Sequence, residues 1–149
     1  MVRNIESRFV AAALRLSTVG FRDRTRALAE HMGERSGRVR LYSIEEVAEF
    51  AVAEFMHRHG IRLARAFQLA RTHRYRIQQA VRSVDEKSDD QFMVVEITGD
   101  EGYAVGGFAG AAETHMRGAD AMLGLNLTRI IGAVLVRLRD VMNADRHAA

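Results

Sequence analysis

Gly37-Arg38-Val39-Arg40-Leu41-Tyr42-Ser43-Ile44-Glu45-Glu46 runs from a basic, alternating segment straight into a helix start. The alternation of Arg38, Val39, Arg40 and Leu41, behind Gly33 and Gly37, reads as a short β-hairpin over 33–42. Ser43 followed three residues later by Glu46 is a capping box. The helix it opens carries Ile44, Val47, Phe50, Ala51, Phe55 and Met56 on an apolar face, and Gly60 suits its C-terminal end.

Upstream, Ile5, Phe9, Ala12, Ala13 and Leu16 fall at helical spacing, so a helix is predicted over about 5–16. Ser17-Thr18-Val19-Gly20 interrupts it with capping and turn chemistry. A second helix is predicted over about 21–32, with Phe21, Thr25, Leu28 and Met32 on one face. Downstream, one helix is predicted from Leu63 to Val81 or Val84, and a polar break at Asp85–Asp90 divides the chain into two halves. Gln91–Thr98 alternates like a strand. Gly99–Gly102 is turn chemistry, and Tyr103–Phe108 can return beside the strand. Helices are predicted over about 110–123 and 127–143. The fold class expected is mainly α, of the α+β kind. A winged helix-turn-helix occupies 1–84, and a small module of a β-hairpin and two helices occupies 85–149.

The 149 residues contain no proline and no cysteine, which removes disulfides, thiolate metal sites and cysteine nucleophiles. The run Phe9–Leu14 is short and bracketed by Arg8 and Arg15, so no membrane span or leader is expected there, and a cytoplasmic, nucleoid-associated location is. Net charge is +3 but unevenly spread: residues 1–76 hold 15 Arg, no Lys and 8 acidic residues, whereas 77–149 hold 7 basic and 11 acidic ones. A GC-rich codon bias explains arginine over lysine but not this asymmetry, which points to a polyanion-binding first half.

These residues resemble the MerR family of transcriptional regulators. Gly37–Ser43 is similar to that family's passage from wing to helix, and Ile44–Val47 to the start of its third helix. His59-Gly60-Ile61-Arg62-Leu63 is similar to its turn into a fourth helix, and Arg24-Thr25-Arg26 stands where the family has an Arg-Thr pair in the recognition helix. The resemblance covers about 5–69 and is divergent: Ala27, Leu28 and Ala29 replace aromatic residues, and Val39 replaces the wing aromatic. It implies a bacterial regulator that binds DNA as a homodimer through its C-terminal helix. It also implies that Tyr42 contacts the DNA backbone beside the wing.

On this reading Arg22, Arg24, Thr25 and Arg26 enter the major groove, where the start of a recognition helix reaches base edges. Arg35, Arg38 and Arg40 touch phosphates. Tyr42 either contacts the backbone or packs on the third helix. In the last helix Leu127, Ile131, Val134, Leu138 and Val141 step by 4, 3, 4 and 3, an a/d stripe that packs on this chain's hairpin or on a second copy; a homodimer is the expectation. His57 and His59, two apart, make a poor metal pair and suit a helix end. Gly106-Gly107 and Gly110 lack the lysine of a phosphate loop, and Glu96, Asp100, Glu101 and Glu113 suit a solvated hairpin, so no enzyme, cofactor or metal is expected. The expected function is sequence-specific duplex DNA binding that regulates transcription, with RNA polymerase or another regulator as a further partner. The alternatives are a phage or excisionase-like architectural protein, a protein-binding regulatory module, and a ligand sensor with Phe92, Tyr103, Phe108 and Met116 around a pocket.

Overall fold

The computed structural model describes residues 3–28, 33–36, 39–98, 102–106 and 121–148. Among them the protein is mainly α-helical, with two small antiparallel sheets. The elements are β1 (Ile5–Glu6), α1 (Ser7–Ala13), α2 (Thr18–Leu28), β2 (Glu34–Ser36), β3 (Val39–Tyr42), α3 (Ile44–Arg58), α4 (Leu63–Thr72), α5 (Arg74–Glu86), β4 (Phe92–Thr98), β5 (Gly102–Gly106), β6 (Ala121–Asn126) and α6 (Leu127–Ala148).

The first helix is shorter than its apolar spacing predicts. Ile5 and Glu6 instead pair with Tyr42 and Leu41, giving a sheet of order β1-β3-β2. The β2–β3 hairpin pairs Arg35 with Arg40 and Ser36 with Val39. At its other end α1 stops without glycine. Arg15 takes the left-handed conformation (φ 57°), Leu16 N–H donates to Ala11 O and Arg15 N–H to Ala12 O, closing a Schellman turn. Two distant arginines cover the remaining carbonyls: Arg137 donates to Ala13 O at 2.8 Å and Arg58 to Leu14 O at 2.9 Å.

Helix α2 begins earlier than expected, because the Ser17 hydroxyl accepts the Gly20 N–H at 2.9 Å and caps the first turn. In α3 the capping box forms as read, with Ser43 and Glu46 exchanging hydrogen bonds. Gly60 follows α3 with a φ of 95°. His57 Nδ1 lies 3.0 Å from Ile61 O and His59 Nδ1 lies 2.8 Å from Phe55 O. A carbonyl only accepts, so both nitrogens carry the proton and tie off the helix end.

Two expectations are corrected. The single helix from Leu63 is two helices, broken at His73 (φ −103°, ψ 23°). Nothing in the sequence marks this break, since neither glycine nor proline lies near it. Residues 121–123, predicted helical, begin strand β6, which pairs with β4 from Ala121↔Ile97 to Asn126↔Phe92. An apolar run such as Met122-Leu123-Gly124-Leu125 suits either state, and β4 supplies the edge that settles it. The remainder of that predicted helix, 110–120, lies outside the described residues.

The predicted boundary at Asp85–Asp90 falls at the end of α5 and the passage into β4, yet the halves share one core. Helix α6 lies against α1, α3 and α5 and also meets β4 and β6. Asn126 caps it by accepting the Arg129 N–H at 3.0 Å. Leu127, Ile131, Val134 and Leu138 are buried, with Met93, Val95 and Leu125 in the same cluster. The stripe offered to a second copy is therefore consumed by the chain itself; Val141, its last member, is partly buried.

Candidate nucleic-acid interface

Helix α2 turns Phe21 and Thr25 toward the core, which leaves Arg22 and Arg26, four residues apart, on the outer side. Phe21, Tyr42 and Phe50 form an aromatic cluster, with ring centroids 5.7 Å apart for Phe21–Tyr42 and 5.6 Å for Tyr42–Phe50. Tyr42 is 1% exposed. Of the two roles open to it, packing is the one seen: its ring fixes β3 against α2 and α3. Burial pushes its phenol above the ordinary value, against the pull of Arg40 and Thr25, which lie beside the hydroxyl.

This packing brings α2 and the hairpin to one place. Arg22 and Arg26 from α2 and Arg40 from β3 line a single cleft of about 450 Å³, with Ser7, Thr18, Thr25, Phe21 and Tyr42 as its other walls. None of these lining residues is acidic. Guanidinium groups from two elements, set among hydroxyls, suit an oxyanion such as a phosphodiester. Thr25 adds less than the sequence suggests, because its hydroxyl donates to Arg22 O at 2.9 Å within α2.

Arg24 is elsewhere. Its Nε donates to Glu54 Oε2 at 3.0 Å and its Nη2 to Oε1 at 3.4 Å, so this side chain runs across to α3 and not into the cleft. Its assignment to base edges is corrected on that ground. Arg35 belongs to β2, but the placement of its side chain is outside what is described, and Arg38 lies outside the described residues altogether.

Beyond the Ser43–Glu46 capping box, sequence reasoning missed what the three glutamates buried by α3 hold. Glu46 accepts from Ser43 N–H, from Gly33 N–H at 3.1 Å and from Arg3 Nη2 at 2.8 Å. Burial alone would raise its carboxyl, but the Arg3 hydrogen bonds, the two backbone N–H groups and the Arg3 charge outweigh burial, and the net shift is downward. Glu49 faces Arg74 Nε at 2.8 Å; burial prevails over Arg74 and Arg71, and its carboxyl is raised. Glu54 is shared by Arg24 and Arg58. The capping box marks the Glu46–Ser43 bond in the sequence; the only sequence trace of the ion pairs is that Glu46, Glu49 and Glu54 stand among the apolar positions of the helix.

No family model and no curated protein matches the chain. Among the described residues no helix is long and apolar enough to cross a membrane.

Proposed function

We propose that this protein binds duplex DNA in a sequence-specific manner and regulates transcription. In this reading α1, α2, the β2–β3 hairpin and α3 act as a winged helix-turn-helix of MerR-like kind. The observation that carries the reading is the shared cleft: arginines from α2 and from the hairpin, 14 or more positions apart in the chain, line one concave surface, and none of its described lining residues is acidic. Helix α2 enters the major groove, Arg22 and Arg26 reach base edges or phosphates, and Arg40 contacts the backbone. Arg24 serves the helix's position and not readout. Two copies on adjacent half-sites would have to meet through a surface other than the buried 127–138 stripe.

Selection of bound fragments from genomic DNA, followed by titration of the selected duplex at several salt concentrations, tests this. Alanine at Arg22, Arg26 or Arg40 is expected to weaken binding, and each lost phosphate contact to lower the salt slope by about one unit. An Arg22→Ala/Arg26→Ala/Arg40→Ala protein that binds the same duplex with unchanged affinity and slope refutes the proposal. Selected sites at promoters support regulation; sites confined to phage attachment regions support the architectural alternative.

A further inference from the structure

The most basic stretch of the chain is not in the cleft. Between Phe55 and Val84 there are seven arginines and no acidic residue, and the first acidic groups beyond it, exposed Asp85 and Glu86, stand only at the last turn of α5. This stretch forms the end of α3, all of α4 and most of α5. Some of its charge is used internally, as in the Arg74–Glu49 pair. Arg71 in the last turn of α4 and Arg82 in α5 are exposed. Between them stands Tyr75, whose side chain is 69% exposed, the highest value among the exposed large apolar and aromatic side chains described. Its hydroxyl accepts from Gln79 Nε2 at 3.1 Å, so the ring is held along the helix surface.

Tyr75, Gln79 and Arg82 step by 4 and 3 along one face of α5. That face is roughly 10 Å long, room for about three stacked nucleotides at about 3.4 Å each. Cations beside an exposed ring are the recurring chemistry of single-strand binding: arginines follow the phosphates, and an unpaired base stacks on the aromatic side chain. In a duplex the base faces are already stacked, so the ring would find no partner there. An acidic peptide would meet the arginines but offers no flat π-face.

We infer that the outer face of α5, with Tyr75 as stacking platform and Arg82 as a phosphate contact, and with Arg71 at the end of the preceding helix adding positive charge, is a binding surface for single-stranded nucleic acid, separate from the cleft on α2. Fluorescence anisotropy with the full chain and a labelled thymidine oligonucleotide of about 15 residues tests it, with the corresponding uridine strand as a second arm. The wild type is expected to bind one or both strands, the preferred one identifying DNA or RNA as the source. Tyr75→Ala is expected to lose on the order of tenfold in affinity, Tyr75→Phe to stay within about twofold, and Arg82→Ala to lower the salt slope by about 0.7. Tyr75 is exposed, so circular dichroism of the variants should be unchanged. Binding of the selected duplex should also be unchanged in these variants, which separates this surface from the cleft. The inference is overturned by a wild type that binds neither strand, by Tyr75→Ala binding like the wild type, or by polyglutamate displacing the oligonucleotide as well as unlabelled strand does.

Discussion

Arg24 of α2 and Glu54 of α3 form a two-point ion pair, Nε to Oε2 at 3.0 Å and Nη2 to Oε1 at 3.4 Å, with the carboxylate 8% exposed. Glu54 also takes Arg58, whose other nitrogen holds Leu14 O at the end of α1. Through Arg24 directly, and through Arg58 to Leu14 O, this carboxylate links α3 to α2 and to the end of α1. Glu54→Ala leaves two guanidinium groups without their partner and should cost about 2–4 kcal/mol, somewhat below a fully buried pair because both arginines reach solvent. Arg24→Ala should cost less, about 1–2 kcal/mol, because Glu54 retains Arg58. Urea unfolding checks both; an Arg24→Ala protein of full stability would show that the pair contributes nothing.

Gly33 has no room for a side chain. Its φ is 74°, and a Cβ there would stand 2.8 Å from both Arg40 Cγ and Tyr42 Cε1. Its N–H also donates to Glu46. Gly33→Ala is expected to cost about 2 kcal/mol or more through left-handed strain and displacement of the Tyr42 ring. A thermal melt within a degree or so of the wild type would contradict this.

Two exposed or half-exposed positions should gain stability. Arg15 is a non-glycine residue at φ 57°, and Gly there removes the strain of the Schellman turn and one of the charges that lower the Arg137 pKa after burial. Gly132, inside α6, would place a Cβ only 3.5 Å from Val84 Cγ2, an ordinary contact. Arg15→Gly and Gly132→Ala are each expected to add about 0.5–1 kcal/mol, read as a higher urea midpoint with unchanged slope.

Ile131 distinguishes a core stripe from a seam between copies. It is fully buried in the single chain. Ile131→Ala should cost about 2–5 kcal/mol, and the cost should be the same across roughly a hundredfold range of protein concentration. A loss that shrinks as concentration rises would return the stripe to a dimer.

The glutamates give opposite pH signatures. Glu46 is lowered, so its contribution is complete above about pH 4.5 and is lost as pH falls through its folded value. Glu49 is raised, so its contribution is complete below that pH and is lost as pH rises through its folded value. His73 is lowered by burial and then by Arg76, so its contribution is present above about 6.5 and declines on acidification. Stability measured against pH should show Glu46→Gln losing the acid-side decline and Glu49→Gln losing the decline on the other side. Identical profiles for the two variants would remove the assignment.

The capping box at Ser43–Glu46, the hairpin after Gly33, the end of α3 at Gly60 and the inward face of α2 at Phe21 and Thr25 were all determined by residues within a few positions of one another. Caps, turns and helical faces are satisfied locally, so the linear order of donors, acceptors and apolar groups is enough to specify them. The fate of Arg24, the enclosure of Ile131 and Leu138, the strand at Ala121–Asn126 and the cleft uniting Arg26 with Arg40 were decided only in three dimensions. Arg24 meets a carboxylate 30 residues away, and Arg137 meets a carbonyl 124 residues away. An arginine exposed on its own helix and one spent on a distant glutamate have the same local sequence. Only the packing of the other helices determines which charge stays in water and which is neutralised.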